Sequence, residues 1–154
     1  MKRNTVPLFA IITLFTLLAC AFLPAGCSSS KQDVRDITAA EADSLYTLYN
    51  GTPNFAMLDV RTPDEYGRAR IEGSINIDQM ADTFPDKIGK LDKTKMYILY
   101  CTDGSKRSVE ASALMKKEGF RTVYQISGGV IAWALAGYPV VRISQTAPAD
   151  STGK

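Results

Sequence analysis

The chain has 154 residues, 45% of them hydrophobic and 22% charged, which is the composition of one globular domain and not of a disordered segment. Its formal net charge of +2 comes without a clustered basic stretch, so nucleic acid is not an expected partner. There is no histidine, which excludes Ser-His-Asp and Cys-His catalysis, His-ligated zinc and imidazole acid-base chemistry.

Lys2 and Arg3 place positive charge at the start, and residues 6–25 then carry no ionisable acid or base, the layout of an export signal. The run is close to the roughly 20 residues that span a bilayer, so an uncleaved anchor is the alternative; both put the following domain outside the cytoplasm. Leu23-Pro24-Ala25-Gly26-Cys27, followed by Ser28, Ser29 and Ser30, resembles a bacterial lipoprotein signal, in which the cysteine is acylated and becomes the mature N-terminus. Leu17-Leu18-Ala19-Cys20 is a second fit. Cys27 is preferred because a polar linker over 28–33 follows it, whereas Ala21, Phe22 and Leu23 follow Cys20. The resemblance implies a signal over 1–27 and a membrane anchor made of lipid. It also implies a periplasmic-side location, on the outer membrane where there are two, because Ser28 is not an acidic retention signal. Secretion into the periplasm is the alternative.

Over residues 34–143, short apolar runs alternate with helical patterns, which predicts a parallel α/β domain. Thr38-Ala39-Ala40-Glu41 is a capping box opening a helix over 39–49, and 55–60 reads as a buried strand. Thr62-Pro63-Asp64-Glu65 is a second capping box, with proline at the first helical position, for a short helix fraying by Gly67. A short strand over 74–77 and a weak helix over 81–91, with Pro85 as a breaker, precede a strongly apolar strand over 96–100. A helix over 108–118 capped by Gly119, a strand over 123–126, and a helix over 130–136 behind Gly128-Gly129 complete the domain. Residues 144–154 have no periodicity and read as a disordered tail.

Three cysteines without C-x-x-C spacing build neither a four-thiolate metal site nor a disulfide framework, so no metal and no cofactor are expected. Cys101 is different from the other two. It opens the loop Cys101-Thr102-Asp103-Gly104-Ser105-Lys106-Arg107, between the most apolar strand and a helix, where open α/β sheets hold their ligands. A loop entering a helix turns backbone N–H groups inward and favours an anion at its centre. Those amides, with Lys106 and Arg107, are expected to favour thiolate over thiol at Cys101; Asp103 opposes them.

Four motifs in order resemble a single-domain rhodanese-like protein over residues 34–141. They are Leu58-Asp59-Val60-Arg61-Thr62-Pro63-Asp64-Glu65-Tyr66, Arg70-Ile71-Glu72-Gly73-Ser74-Ile75-Asn76-Ile77, Tyr100-Cys101 with Gly104 and Arg107-Ser108, and Ile126-Ser127-Gly128-Gly129-Val130-Ile131-Ala132-Trp133. The resemblance implies a central parallel sheet with helices on both faces. It also implies a sulfurtransferase that carries sulfane sulfur as a persulfide on Cys101, from a small-molecule donor such as thiosulfate to a thiol or cyanide.

The chain departs from that family in two places. Arg70 and Glu72 stand where histidine and proline are usual, and five residues instead of four separate Cys101 from Arg107. Cys-x5-Arg is the spacing of the phosphatases and arsenate reductases that share the fold, so oxyanion chemistry is a second reading. Against it, Tyr100 replaces the histidine those phosphatases place before the cysteine. A non-catalytic sulfur carrier or binding module is the third reading. Asp59 and Arg61 are supporting candidates, with an internal ion pair the plainer role for Arg61. Trp133 reads as core, and Asp103 as a turn residue bonding to backbone.

Overall fold

A computed structural model describes residues 31–142. The signal and lipidation positions Cys20 and Cys27, and the expected tail, lie outside the described residues.

The domain is built in chain order from β1 (Asp33–Ile37), α1 (Ala39–Tyr49), β2 (Phe55–Asp59), α2 (Pro63–Arg68), β3 (Ala69–Arg70), β4 (Ile75–Asn76), α3 (Phe84–Gly89), β5 (Met96–Tyr100), α4 (Lys106–Lys117), β6 (Thr122–Ile126), α5 (Gly129–Leu135) and β7 (Val141–Arg142). Five strands form one parallel sheet in the order β1-β6-β5-β2-β4, and β3 pairs with β7 in a small antiparallel ribbon.

Alternation along the strands divides the core into two layers, because successive side chains point to opposite faces. Met57, Ile98, Tyr100, Tyr124 and Ile126 face α1 and α5, where they meet Ala39, Ala42, Val130 and Trp133. Leu58, Tyr97, Leu99, Cys101 and Val123 face α3 and α4, where they meet Phe84, Ile88, Ala111, Met115 and Phe120. Helices therefore cover both faces, and β5, in the middle of the sheet, is buried on both. Trp133 is core, with its indole N–H donating to the Pro139 carbonyl at 2.9 Å.

Both capping boxes form. Thr38 and Glu41 satisfy each other's backbone N–H at the start of α1, and Thr62 and Glu65 do the same for α2, which runs on past Gly67 to Arg68. Pro85 does not break α3; the helix starts at Phe84, so the proline falls in its first turn, where its missing N–H costs nothing. Helix α4 begins two residues earlier than the apolar spacing indicated, at Lys106.

The largest local correction is β1, whose first residue Asp33 falls in the expected linker. Only Val34 and Ile37 of its five residues are apolar, so periodicity conceals it. Its stability comes from the neighbour: β1 pairs along β6 from Asp33↔Thr122 to Ile37↔Ile126, the Tyr124 hydroxyl donates to Asp33, and the Arg35 guanidinium lies 4.8 Å from the Tyr124 ring centroid.

Candidate active site

The pairing of β2 with β5 sets the site. Asp59 lies opposite Tyr100 at the carboxyl ends of these strands, and the Val60 amide donates to the Tyr100 carbonyl at 3.0 Å, so the chain after β2 and the loop after β5 leave the sheet side by side. Cys101 is the first residue beyond β5 and its side chain is buried.

Two glycines let the Cys101 loop close against the turn that opens α5. Gly104 has φ +71°, and a Cβ there would lie 2.5 Å from the Gly128 amide and 2.7 Å from the Ile126 carbonyl. Gly129, at φ +57°, is pressed in turn against the Cys101 carbonyl and the Gly104 amide. The Val130 and Ile131 amides donate to the Cys101 and Thr102 carbonyls at 3.0 and 3.1 Å, and the Gln125 amide side chain donates to the Gly104 carbonyl at 2.9 Å.

Within this frame two side-chain oxygens lie at the sulfur. The thiol donates to Asp103 Oδ1 at 3.6 Å and lies 3.3 Å from Ser108 Oγ. The same Asp103 oxygen accepts the Ser105 amide at 3.0 Å and the Ser105 hydroxyl at 2.6 Å. These two bonds draw the Asp103 carboxyl below its ordinary pKa of 3.8 and use up the amide that would otherwise face into the loop. Ser105, the N-cap of α4, accordingly makes no side-chain cap to its own helix.

Arg107 is also committed. Its guanidinium donates to Glu65 through Nη1 at 2.6 Å and Nη2 at 3.0 Å, and to the Thr102 hydroxyl at 2.8 Å; the Thr102 hydroxyl donates in turn to Glu65 Oε1 at 2.8 Å. The Arg107 bonds, aided by Thr102 and Thr62, outweigh partial burial and hold the Glu65 carboxyl well below the usual carboxylate range. Lys106 is exposed at the helix start.

Asp59 and Arg61 sit beneath the site. Arg61 is 5% exposed and Asp59 fully buried; the guanidinium donates to Asp59 through Nε at 2.9 Å and Nη2 at 2.5 Å, and to the Ala69 carbonyl at 2.6 Å. Burial works against the Arg61 charge, yet the Asp59 hydrogen bonds and charge keep its pKa above the ordinary value. This pair welds the end of β2 to β3 and is almost wholly buried. Asn76 completes the joint by donating to the Asp59 and Arg61 carbonyls at 3.0 and 2.7 Å.

Two residues at the site were not among the expected loop residues. Ser108 touches the sulfur from the first turn of α4, and Glu65 was legible only as a helix cap. The signal for Ser108 was its place one turn into the helix behind the cysteine loop. For Glu65 it was membership of the first motif and of the capping box, neither of which pointed to the cysteine loop.

A parallel α/β domain with one cysteine at the carboxyl end of its central strand, in a loop closed by paired glycines, defines a narrow class. The family model described as Rhodanese-like domain matches residues 41–136, more than half of the chain, and the chain belongs to that family. It is 28% identical over 105 residues to a sulfurtransferase of Allochromatium vinosum, covering 68% of this chain and 95% of that protein. It is 37% identical over 79 residues to the probable adenylyltransferase/sulfurtransferase MoeZ of Mycobacterium tuberculosis, with 51% of this chain against 20% of that one. It is also 40% identical over 77 residues to the tRNA uridine(34) hydroxylase of Pelagibacter ubique, where the chain spans 25% of the relative's length. Among solved structures, a rhodanese-related protein from Thermoplasma volcanium superposes with a TM-score of 0.57 at 33% identity, covering 70% of this chain and 97% of the other. The chain is thus a rhodanese-like domain with sulfurtransferase homologues.

Proposed function

We propose that the domain transfers sulfane sulfur through a persulfide on Cys101, taking it from thiosulfate or a similar donor and delivering it to a thiol or cyanide. The observation that carries this reading is the position of the Cys101 sulfur, at the carboxyl end of the central strand and at the mouth of a loop fixed by the turn of α5. The chemistry needs no histidine and no metal. The Cys101 thiolate attacks the outer sulfur of the donor; a new S–S bond forms while the donor's S–S bond breaks, and sulfite leaves with the electron pair. The acceptor then attacks the outer sulfur of the persulfide and returns Cys101 as thiolate.

One observation favours a second reading, phosphatase or arsenate reductase-like chemistry: the Cys-x5-Arg spacing. Two others oppose it. Arg107, which would have to hold the oxyanion, is forked onto Glu65, and the Asp103 carboxylate stands beside the sulfur. Intact-mass measurement on residues 31–154 after mixing with thiosulfate tests the choice. One added sulfur atom, absent in Cys101→Ser and removed by cyanide, is the expected result. No added sulfur together with phosphatase turnover would replace this reading with the second, and neither added sulfur nor phosphatase turnover would make the domain a binding module.

The proposed setting is the outer side of a bacterial membrane, with lipid on Cys27 as the anchor; residues 1–30 support it by their charge, apolar run and serine-rich tether. Release of a Cys27→Ala variant from the membrane fraction is expected. Retention equal to the unmodified protein points to Cys20 or an uncleaved anchor, and a Cys20→Ala, Cys27→Ala double variant separates those two.

A further inference from the structure

We propose that Asp103 selects the sulfur donor by charge, so that the site prefers sulfane sulfur carried on a neutral or cationic organic thiol over sulfur carried on an oxyanion. This inference rests on the sulfur-transfer reading and narrows its substrate class.

Three observations converge on it. The Asp103 carboxylate lies 3.6 Å from the reacting Sγ, so an atom arriving at that sulfur arrives beside a negative charge. The carboxylate is held there on purpose-built contacts: the Ser105 amide and hydroxyl both bond the same oxygen, which keeps the group ionised and in place. The positive charge that would offset it for an anionic donor is already neutralised, because both Nη atoms of Arg107 bond Glu65. Lys106 and Asp103 are both exposed, so solvent screens both charges, and of the two it is Asp103 that contacts the sulfur. The loop and its partner therefore carry Asp103 and Glu65 against Lys106 and Arg107, with the negative member of the unpaired charges at the sulfur.

For an organic persulfide R–S–SH, the Cys101 thiolate attacks the terminal sulfur, the S–S bond within the donor breaks, and R–S⁻ leaves with the electron pair. Cys101 becomes Cys–S–SH. The donor's terminal hydrogen stays on the transferred sulfur, and no external oxidant or reductant enters. Thiosulfate requires the same displacement while a dianion approaches Asp103.

The test compares three probes on residues 31–154: thiosulfate, the persulfide of 3-mercaptopropionate, whose far end is a carboxylate, and the persulfide of cysteamine, whose far end is an ammonium. The two persulfides share one reacting group and differ in the charge of the far end and in the basicity of the departing thiolate, so the effect of Asp103 is read from the change in their rate ratio. Sulfur loading of Cys101, followed by quenched intact mass, is expected to run fastest with the cysteamine persulfide. In Asp103→Asn, which keeps an oxygen to accept from Ser105, loading by the two anionic probes is expected to rise about fivefold and the ratio of the cysteamine to the 3-mercaptopropionate persulfide rate to fall. A second readout needs no variant: in the unmodified domain the ratio of the persulfide rates should shrink between low and high salt. Sulfur loading with a ratio that neither Asp103→Asn nor salt changes would overturn the charge selection while leaving sulfur transfer intact. No loading from any probe would overturn both.

Discussion

The Arg107 guanidinium and the Glu65 carboxylate form a two-pronged pair, Nη1 to Oε2 at 2.6 Å and Nη2 to Oε1 at 3.0 Å, that joins the first turn of α2 to the first turn of α4. The same carboxylate closes the capping box of α2 through Thr62, so one side chain ends a helix and braces the cysteine loop.

Because its pKa is depressed from 4.5 in the folded state, Glu65 contributes stability that is fully present above that unfolded value and is lost as pH falls below it toward the folded value. Glu65→Gln should lower unfolding stability by about 1–2 kcal/mol near neutral pH, the cost of weakening hydrogen bonds to a charged group that is one-third exposed. Chemical denaturation of the two proteins should show this gap unchanged between about pH 6 and 7 and narrowing on acidification below 4.5. A gap that widens in acid would contradict the pairing.

Arg107→Ala leaves the Glu65 carboxylate without its main partner. Since the guanidinium is engaged with Glu65, its loss should slow sulfur loading by anionic and cationic donors to a similar extent, with a stability loss of about 1–3 kcal/mol. A loss confined to thiosulfate would show that the guanidinium turns to the donor during reaction.

Arg61→Ala isolates the fully buried Asp59 carboxylate, and breaking such a pair from one side costs about 3–5 kcal/mol. Urea unfolding should show that loss. Asp59→Asn combined with Arg61→Met should recover much of it, because no unpaired charge is then left in the interior.

Gly104→Ala tests the closure of the loop. The added methyl group meets backbone at 2.5 Å and the residue must hold φ +71°, so the loop has to move away from the α5 turn. We expect about 1–3 kcal/mol of lost stability and at least tenfold slower sulfur loading. Ser127→Ala, at an exposed neighbouring position, should leave both near the unmodified values.

The elements that could be read in advance are those whose signal is local. The run Met96–Tyr100 is apolar enough to be a central strand wherever it lies, and Thr62 with Glu65 forms a cap whatever surrounds it. What stayed hidden depends on partners distant in sequence. Strand β1 exists because β6 lies alongside it, and the guanidinium of Arg107 is turned from the loop centre by a carboxylate 42 residues earlier. The Asp103 side chain was read as a turn residue, and it does bond the Ser105 backbone; that its carboxylate would also reach the sulfur depends on the loop's path between Cys101 and α4.

The pairing of β1 with β6 also dictates the order in which the domain can be assembled. Asp33 and Tyr124 are 91 residues apart in the chain, yet they share a hydrogen bond at one edge of the sheet. Strand β1 thus has no parallel neighbour until Thr122–Ile126 has followed, and that long closure must precede any gain from it. Until then β5 offers an open strand edge. A chain ending before Ile126 would therefore remain a template for intermolecular strand addition, even though its cysteine strand is already complete.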